Sequence, residues 1–379
     1  MSTQNNKIYF SGLNSLRFWA AFLVIVSHIE MLKENYGFEI IISDFNFYYL
    51  GGISVTFFFV LSGFLITYLL LIEKEKHKNI NIKAFYLRRI LRIWPVYYSM
   101  LILAFFVLPH IEAFQESYFA SFFEEHFTTN ILLYLLILPN VSFAMYPAVP
   151  NIGQFWSIGV EEQFYLAWPL IIKKSKNILR TLSIILICII GIKLLILLMG
   201  QFYEFSLWYF SLKRLVAMSK FECMCIGGIG AYWLFTENKF LRFLQKKTTL
   251  IITLVLLPIL FVYVSGELKD GLHVVFSVMF LIILLYIVKT KSRPSIENKY
   301  LNYLGKISYG LYMYHFAVIS VVLHFAKKYL SQESEYIQNL IIYVTVFVLT
   351  ITVASLSYRF VETPFIKLKS KHSPVKSGD

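Results

Sequence analysis

Residues 250–264, LIITLVLLPILFVYV, decide the fold class of this chain, because the run holds no charged side chain. A second run of the same kind, VVFSVMFLIILLYIV, follows at residues 274–288. A helix of about 17–25 apolar residues crosses the hydrocarbon core of a bilayer, and both runs approach that length before their flanks are counted. Since a helix satisfies its own backbone hydrogen bonds, as lipid requires, the two runs predict membrane-spanning helices.

The composition of the whole chain supports this interpretation. Of its 379 residues, 58% are hydrophobic and 15% are charged, whereas soluble domains average about 45–50% apolar and about 25% charged residues. The net charge of +13 would suggest nucleic acid in a soluble protein. Basic loops that orient the chain explain it better here, so we expect lipid, and not nucleic acid, as the partner. The three cysteines fit no metal or disulfide spacing, and no metal site is predicted.

We therefore predict an all-α, polytopic transmembrane helical bundle of about ten spans. The predicted spans cover residues 13–30, 46–71, 94–111, 153–172, 181–200, 215–235, 248–264, 272–288, 307–326 and 336–357. The apolar stretch 131–138 is too short to cross, and we expect it at the interface or as a re-entrant element. Residues 1–365 form one predicted transmembrane domain, and residues 366–379 form a polar, basic tail.

The distribution of Lys and Arg assigns sides to these spans. With a cytosolic N-terminus, the cytosolic segments hold 26 of the 35 Lys and Arg residues, and the outer loops hold six. Cytosolic loops of membrane proteins carry such an excess, and here it alternates from loop to loop. Both termini are thus predicted to be cytosolic, and the chain is predicted to lie in the inner (cytoplasmic) membrane.

Two ionisable residues, Arg17 and His28, lie in the first predicted span. They are 11 residues apart, which is close to three helical turns, so both face the same side, roughly 16 Å apart along the axis. Ionisable groups inside a span are costly and usually functional or paired. The alternative is that Arg17 reaches lipid headgroups and His28 only caps the outer end of the helix.

A basic cluster, Arg88, Arg89 and Arg92, precedes the third predicted span, with Tyr97 shortly after it. Arg88 and Arg92 are four residues apart and are expected to share a helical face. Guanidinium forks suit phosphate better than a lone ammonium does. The alternative is an orienting anchor with affinity for anionic lipid.

Two adjacent carboxylates, Glu161 and Glu162, stand near the outer end of the fourth predicted span. Successive helical residues point about 100° apart, so one carboxylate can face the bundle while the other reaches the interface. A polar helix start would also account for them, with Ser157 as cap and the glutamates favoured by the helix dipole. Further polar residues lie near the carboxylates or inside the later spans, and these are predicted to support the site: Trp156, Ser157, Tyr165, Lys220, Glu222, Tyr309 and His315.

Several signatures in a fixed order resemble the acyltransferase-3 family of integral membrane O-acyltransferases, which includes bacterial envelope glycan O-acetyltransferases. The resemblance covers residues 13–365. It rests on Arg17 with His28, on FFFVLSGFLI at 57–66, on the cluster from Arg88 to Tyr97, on Trp156-Ser157 with EEQFY at 161–165, on ISYGLY at 307–312 with His315, and on Glu362 with Pro364. One position departs, since such proteins often carry Arg where Lys220 aligns.

The resemblance implies transfer of an acyl group, most often acetyl, from acyl-coenzyme A to a hydroxyl of a surface or envelope glycan. His28 would then be the general base, since a neutral imidazole suits that role at neutral pH. Arg17 would position the donor or stabilise negative charge, and Glu162 or Glu161 would orient His28 or bind acceptor hydroxyls. The cytosolic cluster of Arg88, Arg89, Arg92 and Tyr97 would bind acyl-coenzyme A.

Other functions stay open at this point. The acyl group could pass transiently through His28 or a nearby hydroxyl. The acceptor could instead be a lipid or a small molecule, and a homo-oligomer is compatible with the sequence. A proton-coupled transporter would also use buried charges, although no internal repeat pairs the two halves of the chain. Some members of the family carry an esterase-like domain after the last span, and we expect this chain to act without a fused one.

Overall fold

The computed structural model describes residues 9–41, 47–115, 124–203, 206–263, 271–289 and 298–371, and the regular elements in these ranges are all helices. The predicted all-α fold class is therefore confirmed. The first half holds α1 Leu13–Asn35, α2 Phe47–His77, α3 Ile82–Ile102, α4 Phe127–Leu135, α5 Pro139–Met145, α6 Trp156–Lys174 and α7 Ile178–Tyr203. The second half holds α8 Leu207–Met218, α9 Phe221–Phe235, α10 Lys239–Leu244, α11 Lys247–Tyr263, α12 His273–Lys289, α13 Lys299–Lys306, α14 Ser308–Tyr329, α15 Glu335–Ser357 and α16 Thr363–Lys371.

Six of these helices are long and apolar enough to cross a membrane: α1, α2, α3, α7, α14 and α15. Helix α3 is counted here as far as His110, and α15 as far as Leu368. Helices α11 and α12 are apolar but shorter. Helix α7 turns Ile187, Leu194 and Leu198 outward, each more than half exposed. A surface of that kind requires lipid or another apolar partner. The count of ten spans and the cytosolic position of both ends stay predictions.

Helix α2 lies at the centre of the bundle and packs most closely on α9. A Cβ atom added to Gly63 would overlap the backbone of Met224, and one added to Gly227 would overlap the carbonyl of Val60. Small residues let helix backbones touch, which is how helices associate where lipid removes most of the hydrophobic driving force. This contact sets the position of α2, on which α1 also packs.

The sixth predicted span, 215–235, is not one continuous helix. The chain breaks between α8 and α9 at Ser219 and Lys220, and Lys220 has a φ of 4°. The Ser219 hydroxyl donates to the Val216 carbonyl at 2.9 Å, which closes the end of α8. Apolar composition could not reveal this break, because it depends on where the side chain of Lys220 finds a partner.

The third predicted span began at residue 94, but α3 begins twelve residues earlier, at Ile82. Asn81 caps it by accepting a hydrogen bond from the Ala84 N–H at 3.0 Å. The arginine cluster therefore lies inside a helix, not in front of one. The short stretch 131–138 covers the end of α4 and the turn before α5, in which Ile137 has a φ of 59°. The predicted tail begins within α16, and residues 372–379 lie outside the described ranges, as do residues 46 and 264 at the edges of predicted spans.

Candidate functional site

A cavity of about 810 Å³ opens beside the C-terminal half of α1, and we call it the histidine cavity after His28 in its wall. Aromatic side chains form much of its lining, among them Trp156 and Phe316, together with the amides of Asn151 and Gln154. Pockets for small organic ligands have this size and this mixture of apolar walls with few polar groups. Aromatic faces and amides are suited to the two surfaces of a sugar, its C–H face and its hydroxyls.

His28 is held by a second histidine, and the hydrogen bonds define which nitrogen carries each proton. His315 Nδ1 lies 2.7 Å from the carbonyl of Tyr312, which can only accept, so this nitrogen carries the proton. His315 Nε2 is then an acceptor in the neutral ring, and His28 Nδ1 donates to it at 2.8 Å. The remaining nitrogen of His28, Nε2, is left with a free lone pair. His315 itself is fully buried.

Gly51 lets α2 approach α1 closely at Ser27, beside His28. A Cβ atom at Gly51 would lie 2.9 Å from the Ser27 hydroxyl and 3.7 Å from His28 Nε2. Both His28 and Gly51 line the histidine cavity. The arrangement of base, orienting group and open approach is the one that general-base catalysis requires.

A second cavity, of about 150 Å³, lies between the starts of α1 and α14, the middle of α2 and α3, and the first half of α6, and we call it the arginine cavity. Three arginines, Arg17, Arg89 and Arg92, line it together with Glu161 and Tyr309. The Arg89 guanidinium lies 5.6 Å from the ring centroid of Tyr165. With three guanidinium groups and one carboxylate in its lining, the arginine cavity attracts anions, and phosphate fits these donors well.

The two cavities meet at a thin partition. Val55 and Tyr312 line both of them. The Tyr312 hydroxyl donates to the Gln154 carbonyl at 3.0 Å and lies 2.7 Å from the Ser157 hydroxyl. Trp156 faces the histidine cavity, and its neighbour Ser157 faces the arginine cavity. The predicted arrangement of Arg17 and His28 at different depths of one helix thus places them on the two sides of this partition.

The predicted glutamate partner of His28 is not found. Glu161 accepts from the Ser62 hydroxyl at 2.6 Å, and Tyr165 donates to the same Ser62 oxygen at 3.0 Å. Glu162 accepts from the indole N–H of Trp94 at 3.0 Å. Both carboxylates therefore bond to other groups, and His315 is the residue that bonds to His28 Nδ1.

Two predicted donor-binding residues lie outside the arginine cavity. Arg88 pairs with Glu73 at 3.3 Å, and Tyr97 is buried with its hydroxyl donating to the Tyr134 carbonyl at 2.8 Å. Arg88 and Arg92 were expected to share a face, but Arg89 and Arg92 are the pair that reaches the cavity. The ion pair with Glu73 on α2 holds Arg88 outside the arginine cavity. Helical spacing could not predict this pair, because the two residues lie on different helices and 15 residues apart.

Lys220 and Glu222 form a separate buried cluster at the break before α9. Lys220 donates to His273 Nε2 at 2.7 Å, and His273 Nδ1 lies 2.7 Å from the Thr56 hydroxyl. Glu222 forms an ion pair with Lys193 at 2.5 Å. Neither Lys220 nor Glu222 lines either cavity. Their position supports a structural role in joining α9 to α2 and α12.

Sequence reasoning did not single out three residues of the site. Tyr312, within the quoted ISYGLY segment, forms the partition and binds His315. Gln154 anchors the partition, and its amide donates to the Met313 carbonyl at 3.0 Å. Arg214 lines the histidine cavity, although it stands just before the predicted span 215–235. The signal in the sequence that could have indicated a functional role for Arg214 is a cation placed directly beside an apolar span.

The helical bundle thus places a histidine in the wall of one cavity and three arginines in the wall of a second cavity. The acyltransferase domain family matches residues 10–359, so the chain belongs to that family, as the order of its motifs indicated. The relatives include peptidoglycan O-acetyltransferase OatA of Listeria monocytogenes, 26% identical over 97% of this chain and 57% of its own length. O-acetyltransferase OatA of Staphylococcus aureus is 26% identical over 95% of this chain and 57% of its own length. The chain thus spans little more than half the length of these relatives, and no solved structure matches it.

Proposed function

We propose that this protein is a membrane O-acetyltransferase that moves an acetyl group from cytosolic acetyl-coenzyme A to a hydroxyl of an envelope glycan on the outer side. One observation carries the proposal: a cavity lined by arginines and a cavity with a histidine base meet at the shared wall of Val55 and Tyr312. A transferase with two chemically different substrates needs two such sites that meet at the reacting atoms.

The arginine cavity is the donor side in this proposal. Coenzyme A carries phosphates, and Arg89 and Arg92 present guanidinium groups to the cavity beside Arg17. The cavity of about 150 Å³ is too small for the nucleotide and suits a narrow chain. We infer that phosphates remain near the arginines at the bundle end while the pantetheine arm brings the thioester toward Tyr312.

The histidine cavity is the acceptor side. Its volume of about 810 Å³ accommodates sugar units, and the free Nε2 of His28 faces the acceptor hydroxyl. As the hydroxyl oxygen attacks the thioester carbonyl, His28 Nε2 takes its proton. The resulting imidazolium keeps its Nδ1–H bond to His315, and that bond strengthens because the donor has become charged.

The reaction balances without a further reactant. The new ester C–O bond forms as the thioester C–S bond breaks, and coenzyme A leaves as a thiolate. The proton held on His28 returns to the sulfur. His28 is neutral again when the ester departs, so one turnover needs no covalent acyl-enzyme. A transient acyl group on the protein is the competing route.

The direction of transfer follows from the predicted topology. The arginine cavity is lined by residues near the starts of α1 and α14 and by the N-terminal half of α3, which are the predicted cytosolic sides of these three helices. A ten-span arrangement is reached when α6, the broken pair α8 and α9, α11 and α12 are added to the six long helices. Both chain ends would then lie in the cytosol.

The glycan is proposed from the relatives, since the name of the Listeria protein specifies peptidoglycan. The test is transfer of labelled acetyl from acetyl-coenzyme A by the purified protein in lipid nanodiscs. Acceptors would be peptidoglycan fragments, a lipid alcohol and water, with mass spectrometry of the product. We expect an O-acetylated sugar with the unaltered protein and none with His28→Ala.

His77 provides a matched control, because it is an exposed histidine at the end of α2 that lines neither cavity, and His77→Ala should keep full activity. Acetylation of the lipid alcohol alone would contradict a glycan acceptor. Full activity of His28→Ala would contradict the assignment of the base. Labelled acetyl retained on protein without any acceptor would establish the covalent route instead.

A further inference from the structure

The histidine cavity contains a guanidinium with no acidic partner among the described residues. Arg214 lies on the face of α8 that also carries Leu207, Phe210 and Ser211, and all four line the cavity. Its guanidinium carbon lies 4.2 Å from the ring centroid of Phe143 on α5. Arg214 is partly exposed, and the space it faces is the cavity itself.

The guanidinium of Arg214 lies over the ring of Phe143, a contact that uses no hydrogen-bond donor. A guanidinium presents its N–H donors in its plane, so stacking on an aromatic ring does not use them. Those donors form a fork that matches a carboxylate or a phosphate with two parallel hydrogen bonds. A cation held in this way favours an anion on the molecule that fills the cavity.

The other ionisable groups of the cavity do not remove this selection. His28 is neutral in the hydrogen-bond arrangement derived above, and Glu34 is exposed at the rim. The remaining lining is aromatic, aliphatic, amide or hydroxyl. A neutral sugar would leave the edge of Arg214 without a charged partner, whereas an acidic sugar would pair with it.

We propose that Arg214 binds an anionic group, carboxylate or phosphate, on the glycan acceptor and so fixes which hydroxyl reaches His28. This inference rests on the proposed function in taking the histidine cavity as the acceptor site. The selected acceptors are sugars that carry an acid near the modified hydroxyl. Neutral sugars of the same size enter the cavity but bind more weakly.

Binding without donor tests this independently of catalysis. The probes are the disaccharide N-acetylglucosaminyl-N-acetylmuramic acid, the same disaccharide with its lactyl carboxylate converted to an amide, and that amide with a 1-phosphate. Calorimetric titration of the full chain in nanodiscs should give about tenfold to hundredfold tighter binding of the acid than of the amide. In Arg214→Gln the acid and the amide should bind equally.

Two further variants separate charge from geometry. Arg214→Lys keeps the charge but loses the fork, so it should retain only part of the preference. Lys213→Gln removes the neighbouring exposed charge and should leave the preference unchanged. Tight, Arg214-dependent binding of the phosphorylated amide would identify phosphate as the recognised anion, and tight binding of the acid alone would identify carboxylate.

Equal binding of all three probes to the unaltered protein would overturn the proposal, as would a preference that persists in Arg214→Gln. The KM for acetyl-coenzyme A should not change in Arg214→Gln, and a large rise would assign Arg214 to the donor and also overturn it. If acetyl transfer fails with every acceptor, the proposed function falls, while the binding titrations still decide whether the cavity recognises an anion.

Discussion

Replacing His315 by Ala tests the catalytic geometry most directly, because His315 touches His28 but does not line either cavity. The bond from His28 Nδ1 to His315 Nε2 is 2.8 Å long and joins neutral rings before reaction. A neutral hydrogen bond contributes about 0.5–1.5 kcal/mol, and one to a charged group about 1.5–3 kcal/mol. Since His28 becomes charged in the transition state, the difference, about 1–2 kcal/mol, is lost from catalysis, which lowers kcat roughly 5- to 30-fold.

The loss of His28 should be larger, because it removes the base itself. General-base catalysis contributes about 100- to 10,000-fold. In the variant that lacks both histidines, the change at His315 should cost nothing further, since its effect acts through His28. His315→Gln can offer its side-chain oxygen to the Nδ1–H of His28, so part of the activity should return.

The assay is steady-state acetyl transfer in nanodiscs with the acetyl donor and the glycan varied separately. The KM for acetyl-coenzyme A should stay within about twofold in His315→Ala, because His315 lies outside the arginine cavity. Thermal unfolding of each variant controls for loss of structure. Equal losses for His28→Ala and for His315→Ala, with additive effects in the double variant, would refute an orienting role for His315.

The remaining predictions concern the donor site and the packing of the bundle. Arg89→Gln should raise the KM for acetyl-coenzyme A roughly 10- to 100-fold through the loss of a charge-assisted contact, whereas Arg88→Gln should lower thermal stability with little change in KM. The reverse result in kinetic assays would reassign the phosphate site to Arg88. Gly63→Ala should destabilise the bundle by about 1–3 kcal/mol, because its Cβ would overlap the backbone of Met224. Gly191→Ala on α7 meets nothing within 4 Å and should leave the unfolding temperature unchanged or higher, and equal thermal shifts would contradict the close approach of α2 and α9.

The helical class and the positions of most helices were predictable from local sequence. The long uncharged run that starts at Leu250 is helical as far as Tyr263, because a helix satisfies its own backbone hydrogen bonds in lipid. Breaks and starts were less predictable. The start of α3 at Ile82 depends on the cap at Asn81, and the break at Lys220 depends on His273, which lies 53 residues away.

The sequence by itself determined that this chain is a helical membrane protein of the acyltransferase family, and it singled out Arg17 and His28 as residues that lipid would not hold without reason. Only the tertiary structure decided their partners. His315 lies 287 residues from His28, and the contact depends on how α14 is rotated against α1. The pattern of apolar residues does not determine that rotation, because a helix in lipid has several apolar faces. Close packing at small residues determines which of these faces meets the neighbouring helix.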